Sequence, residues 1–310
     1  MVKLSSDPWL WLRYVLFFAA APLFTGVVNK FKALLSGRRG PTLFQPYYEL
    51  GRLAHKETVY STSAGLVSRL GAPVVFCTVT IAALFVPLGT SSAVSFQGEL
   101  ILFAYLLALG RFFQILAALD VASSLEGMGA SREARFAVFA EPIFFFTLGS
   151  LATITRQYSF ATIIAGISWR DPLFVVFVSV GLLALFFLMT AECSRMPVDD
   201  PNTHLELTMI HEVMILDASG IDLALYQYVT SLKLLLYCTL AGLLLNPFGA
   251  SGLMPGLLIL IATLFVLGFA LALIETLMAR LRLVLVPQFL LFAAAIGILN
   301  VLVYAFSRKA

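Results

Sequence analysis

The chain has 310 residues, of which 60% are hydrophobic and 12% charged, with a net charge of +3 and a mean hydropathy of +0.96. A soluble domain is about half apolar, so this composition excludes a water-soluble globule and implies a polytopic membrane protein. The small net charge gives no reason to expect a nucleic-acid partner.

A bilayer-spanning helix needs about 20 mostly apolar residues. In chain order, eight segments qualify: Trp9–Val28, Leu70–Leu88, Leu100–Leu119, Phe136–Ile154, Leu173–Ala191, Tyr228–Leu245, Leu257–Ile274 and Val284–Phe306. The first is too long for the apolar region of a cleaved signal and is read as a retained helix. The expected fold class is therefore all-α, an eight-helix membrane protein. No repeat period and no low-complexity linker divides it, so residues 1–310 are read as one membrane domain.

Lysine and arginine set the expected orientation. Lys30, Lys32, Arg38, Arg39, Arg52, Lys56 and Arg69 follow the first helix, Arg132 and Arg135 precede the fourth, Arg195 follows the fifth, and Arg280 and Arg282 follow the seventh. Ser91–Glu99 and Asn246–Pro255 contain neither residue. The positive-inside rule places the odd-to-even connections in the cytoplasm and both termini outside, against the minority Arg156, Arg170, Arg308 and Lys309. In the first connection, Gln45–Lys56 mixes Tyr47, Tyr48, Leu50 and Leu53 with Glu49, Arg52 and Lys56. It reads either as a short amphipathic helix on the inner face or as a solvated loop.

Several ionisable residues fall inside or beside the helices: Arg111 in the third, Glu141 in the fourth, Lys233 in the sixth and Glu275 near the end of the seventh. Such groups face the protein interior and pair or hydrate. Two readings stand. One is structural pairing, for instance Arg111 with Glu141. The other is a hydrated proton path, because Asp120, Glu126, Glu133, Glu141, Glu192, Glu206, Glu212 and Glu275 all belong to the expected cytoplasmic half. Burial and mutual repulsion raise carboxyl pKa values and suit them to proton exchange.

The densest cluster follows the fifth helix. Six of the 17 carboxylates (Glu192, Asp199, Asp200, Glu206, Glu212 and Asp217) and two of the three histidines (His204 and His211) lie within 26 residues. His204 and His211 are seven apart, two turns on one helix face, too far for a shared metal and lacking the i, i+4 metal spacing. Proton handling within the acidic cluster suits them better. Asp199-Asp200 lacks the third aspartate of a magnesium-binding D-D-x-x-D element. Gly127-Met128-Gly129-Ala130-Ser131 reads as a glycine-rich turn before a helix, but it is an incomplete nucleotide fingerprint with no strand before it. Cys77, Cys193 and Cys238 cannot supply the four thiolates of an iron–sulfur cluster, so no cofactor is expected on this chain.

Ala191-Glu192 followed by Arg195-x-Pro197-x-Asp199 resembles the A-E-x-x-R-x-P-F-D signature of subunit 1 (the H subunit) of respiratory complex I, the membrane subunit beside the quinone chamber. Arg39-Gly40-Pro41 with Gln45-Pro46, and Gly129-Ala130-Ser131-Arg132-Glu133 with Glu141, resemble further elements of that family. The family's E-A-E-x-E-L is replaced here by Asn202-Thr203-His204-Leu205-Glu206-Leu207. That string, continued to His211-Glu212, looks most like the branch holding hydrogenase-4 component C and its formate hydrogenlyase counterpart.

The resemblance implies a multi-pass subunit of a bacterial or archaeal plasma membrane, non-catalytic itself. It would anchor a group 4 nickel–iron hydrogenase-type complex, with hydrogenase-like large and small subunits carrying nickel–iron and iron–sulfur centres and antiporter-like membrane neighbours. Expected proton-path residues are Glu133, Glu141, Glu192, Asp199, His204, Glu206, His211 and Glu212. Expected docking or ion-pairing residues are Arg38, Arg39, Arg132, Arg195, Asp200 and Asp217, with Arg195 paired to Glu192 or Asp199. A quinone-chamber subunit is the alternative within the family. A free-standing secondary transporter, with Pro87, Pro142 and Pro287 interrupting helices, is the alternative outside it.

Overall fold

The structure is a computed structural model that describes residues 3–4, 7–89, 91–167, 171–199, 209–245 and 253–307. Runs of apolar residues in a bilayer must satisfy their backbone groups internally, and these do so as helices. Among the described residues, eight helices are long and apolar enough to cross a membrane: α1 (Pro8–Leu35), α3 (Leu66–Ala83), α4 (Glu99–Asp120), α5 (Ser124–Thr155), α7 (Pro172–Glu192), α8 (Gly220–Leu244), α9 (Leu253–Leu277) and α10 (Val286–Ser307). Two short helices, α2 (Gln45–Ala54) and α6 (Phe160–Ala165), lie between them. Of the two readings of the first connection, the helix is the one formed. The α2 helix buries Leu53, exposes Tyr48 and packs on α1 and α8.

The bundle is built around α8. Of its apolar window 83% is buried, against 22–50% for the other seven, and it touches α1, α2, α3, α7 and α9. Around it, α3 pairs with α4, α5 with α4, α7 and α10, and α1 with α9. Prolines sit inside α1 (Pro22), α3 (Pro73) and α5 (Pro142) without ending them, as membrane helices tolerate. The other prolines noted in the sequence lie elsewhere: Pro87 beyond the end of α3 and Pro287 in the first turn of α10.

Two helices begin eight or more residues earlier than the apolar pattern predicts, α5 at Ser124 rather than Phe136 and α8 at Gly220 rather than Tyr228. The reason is the same in both. Charged residues that read as loop, Glu126, Glu133 and Asp222, are buried in the helix and find partners there. The Gly127–Ser131 segment is likewise helical rather than a turn. Gly129 lets the 209–215 segment lie against α5, since a Cβ there would collide with Val213 and come within 3.0 Å of Met214 and 3.2 Å of the Ile210 carbonyl.

The two ends of the bundle differ in character. At one end, β1 (Lys3–Leu4) pairs antiparallel with β2 (Val94–Ser95). Buried Tyr14 donates to the carbonyls of Leu84 (3.1 Å) and Val86 (2.7 Å) and accepts from Ala93 N–H (3.0 Å). Glu99, fully buried, accepts from Phe96 N–H, Ser159 Oγ and Phe160 N–H at 2.6–3.1 Å. Its charge is satisfied locally. The opposite end holds almost every other buried ionisable group.

Candidate functional site

Three helices converge on Arg111. It projects from the middle of α4 and is 6% exposed. Its Nη2 donates to Glu192, the last residue of α7. Its Nε lies 3.4 Å from Glu133 and its Nη1 3.9 Å from Glu141, both on α5. The expected pair with Glu141 therefore exists but is the longest of three. Glu133 and Glu192 are buried, whereas the Glu141 side chain is 50% exposed on the outer surface. Arg111 Nε and Nη1 lack hydrogen-bond partners among the described residues despite their acidic neighbours. Buried donors in that condition call for bridging water.

Glu133 joins this group to the loop after α7. Its second carboxylate oxygen is 3.3 Å from His211 Nε2, and His211 Nδ1 is 3.7 Å from Asp199. Asp199 also accepts from the backbone N–H of Ile210 and His211, each at 3.2 Å, and from Arg280 at 2.8 Å. Arg132 donates to the Met209 carbonyl at 2.8 Å. His211 is not on a long helix. It precedes a short 3-10 turn over Glu212–Ile215, because the segment is held by side chains reaching its backbone rather than by its own ladder. Asp200, His204 and Glu206 lie outside the described residues.

Burial disfavours the charged imidazole, but Glu133 and Asp199 outweigh it and push His211 from 6.5 up to about 10. For Asp199, burial acts upward, while His211 and Arg280 hold it below the usual carboxylate range. A raised histidine pKa stabilises the fold fully below about 6.5 and loses that contribution as pH rises through about 10. Proteolysis of residues 209–217 should therefore accelerate over that interval. In His211→Gln it should be fast already at neutral pH and flat. A parental profile in His211→Gln would remove this histidine from the account.

Arg195 departs from expectation. It pairs with neither Glu192 nor Asp199 but with Glu275 of α9, at 3.4 Å. Glu192 is taken by Arg111 and Asp199 by Arg280 and His211. Glu275 also meets Lys32 of α1 at 3.2 Å. Lys32 and Arg280 enter the sequence reading only as orientation charges, and Glu126 only as one of eight acids. Arg38 and Arg39 are exposed beyond the end of α1 and join no ion pair among the described residues. Asp217 is exposed, and its N–H donates to Glu126 at 2.9 Å.

A cavity of 550 Å³ opens between α1, α2 and α8 beside these groups. Glu192, Arg195, His211, Glu212 and buried Lys233 face it, with Asn29 and Glu49 on the far wall. Arginine-bridged acids, a histidine lying between two carboxylates and a cavity large enough for many waters form a site able to hold and exchange protons at one end of the bundle.

Residues 9–305 match the family described as NADH dehydrogenase. Hydrogenase-4 component C of Escherichia coli (strain K12) is 34% identical over 238 residues, covering 76% of this chain and 74% of that protein. Formate hydrogenlyase subunit 4 of the same organism is 30% identical over 285 residues, covering 89% and 92%. In structure, the chain is similar to one in the membrane-bound sulfane sulfur reductase, an archaeal respiratory membrane complex. The TM-score is 0.79 at 18% identity, covering 95% of this chain and 99% of that one. The chain is thus a multi-pass protein of a bacterial or archaeal plasma membrane, and its relatives are named as parts of larger complexes. It belongs to the NADH dehydrogenase subunit 1-like family, in company with hydrogenase-4 component C and formate hydrogenlyase subunit 4.

Proposed function

We propose that this chain is the membrane anchor and proton-path subunit of a hydrogenase-4- or formate hydrogenlyase-like complex. It acts as one membrane domain with both termini on the non-cytoplasmic side. The observation that carries this reading is Arg111 held among three carboxylates of which one, Glu141, is half exposed on a membrane helix. A charge so placed is costly against lipid and calls for a neighbouring polypeptide or water. Protons pass from the cavity through Glu192, Glu133, Glu212 and the Asp199–His211 pair, with His204 and Glu206 contributing from the adjacent segment. They leave sideways at Glu141 toward antiporter-like neighbours. Moving one charge against 100 mV requires about 2.3 kcal/mol, within reach of a redox step.

The soluble arm, hydrogenase-like large and small subunits with nickel–iron and iron–sulfur centres, docks on the same end of the bundle. Exposed Arg38, Arg39 and Asp217 meet it together with Asp200, while Arg132, Arg195 and Lys233 hold the floor. Redox events in the arm shift the 209–217 segment and with it the His211–Glu133 contact.

The cavity supports a second reading, in which a quinone head group occupies it and is reduced there. Purification from native membranes through a tag on this chain tests both. The proposal expects co-eluting nickel- and iron-bearing polypeptides and no reduction of a soluble quinone analogue. Quinone reduction favours the second reading. A chain that elutes alone and moves ions in liposomes overturns both.

A further inference from the structure

A second, smaller cavity of 40 Å³ lies where α4 ends and α5 and α8 begin. Tyr60, Glu126, Asp217, Asp222 and Tyr226 face it. Glu126 is 1% exposed. One of its carboxylate oxygens accepts from Asp217 N–H at 2.9 Å, and the other, Oε2, is buried with no hydrogen-bond partner among the described residues. Asp217 stands exposed at the mouth, and buried Asp222 accepts from Tyr60 at 2.7 Å. Among the described residues, no lysine, arginine or histidine faces the cavity. The nearby Arg69 lies over the outer Tyr60 ring at 5.0 Å, and Asp120 at the end of α4 is engaged by Ser68 N–H at 2.9 Å.

Two connections lead inward. Glu126 precedes Glu133 by seven residues on α5, two turns and about 11 Å along one face. Tyr226 and Ala218 wall both this cavity and the 550 Å³ one, and the Tyr226 hydroxyl has no hydrogen-bond partner among the described residues.

We infer that Glu126 is a proton-loading group that feeds the large cavity from the Asp217 side, with the Tyr226 hydroxyl as the passage between the two. This rests on the proton-path reading and adds its entrance. An O–H bond forms at Glu126 Oε2 as one breaks in a hydronium ion at the mouth, which is left as water. The Glu126 O–H bond then breaks toward a water in the small cavity, that water passes a proton to the Tyr226 oxygen, and Tyr226 releases its own to a water in the large cavity, so Glu126 returns to its carboxylate and the charge moves on as hydronium. The negative field of three acids gathers protons at the mouth. A bound metal ion fits less well. No three metal-ligating side chains converge among the described residues, Asp217 and Tyr60 donors already occupy oxygens of Glu126 and Asp222, and the space admits about one water.

The test uses sealed vesicles containing the assembled complex and follows proton uptake during turnover. Glu126→Gln, whose amide oxygen still accepts from Asp217 N–H, should slow uptake about tenfold. Added acetate, a small diffusible acid, should restore it, and Glu126→Asp should retain most of the rate. Parental rates in Glu126→Gln, with Glu192→Gln defective, overturn the entrance and leave the path standing. Parental rates in both overturn entrance and path together. Should Glu126→Gln fail to assemble, Tyr226→Phe decides, since it removes only one unbonded hydroxyl. A slowed rate supports the inference and a parental rate overturns it.

Discussion

Arg111→Met should destabilise the chain by about 3–5 kcal/mol, enough to prevent its accumulation in membranes. The guanidinium is in contact with Glu192 and is within 3.4 Å of Glu133, and both acids are buried. Removing the cation leaves two carboxylates facing each other out of reach of bulk water. Arg111→Lys keeps the charge but loses the planar fork that reaches α5 and α7 at once, so its cost should be smaller. The double variant Arg111→Met with Glu192→Gln should recover part of the loss, because it removes one stranded acid with its partner. Thermal unfolding of the purified protein in detergent measures all three. An Arg111→Met protein as stable as the parent would mean that water, not arginine, neutralises these acids.

Gly129→Leu should act on the same network from a distance. The α5 backbone approaches Val213, Met214 and the Ile210 carbonyl too closely to admit any side chain. A leucine must push the 209–215 segment off α5, at about 1–3 kcal/mol for the overpacking itself. The larger consequence is geometric. Arg132 holds the Met209 carbonyl and Glu133 holds His211 across that same interface. Both contacts should break together, and residues 209–217 should become as protease-sensitive as in His211→Gln. Parental resistance in Gly129→Leu would show that the segment is held by Asp199 and Arg280 alone.

The eight helices were legible because the length of an apolar run is a direct consequence of bilayer thickness. Their ends were less so. The α5 helix runs a dozen residues past the apolar pattern because Glu126 and Glu133 are buried with partners, a fact invisible to hydropathy. The acidic cluster and Arg111 were also legible, since charge is rare in this chain. Partner identity was not. Arg111 and Glu192 are 81 residues apart, and Arg195 and Glu275 80 apart. Proximity in sequence favoured Glu192 or Asp199 for Arg195, and the fold brought α9 there instead. The α7 and α9 helices are apolar nearly all round, so their sequences give no periodicity from which facing sides could be read. The glycine pattern at 127–131 pointed to a turn, whereas the segment is helical and Gly129 alone of its two glycines serves close packing. Glu126 was visible only as one acid among eight. Its significance lies in an unpartnered oxygen, which requires coordinates.

The coupling role rests most directly on Glu192, which touches Arg111 on one side and the large cavity on the other. Glu192→Gln removes its charge and keeps its shape. Proton movement in sealed vesicles containing the assembled complex, driven by the complex's own electron donor, is the measurement. Electron transfer that continues with proton movement lost is the expected result. Proton movement undiminished in a normally assembled Glu192→Gln complex would contradict it.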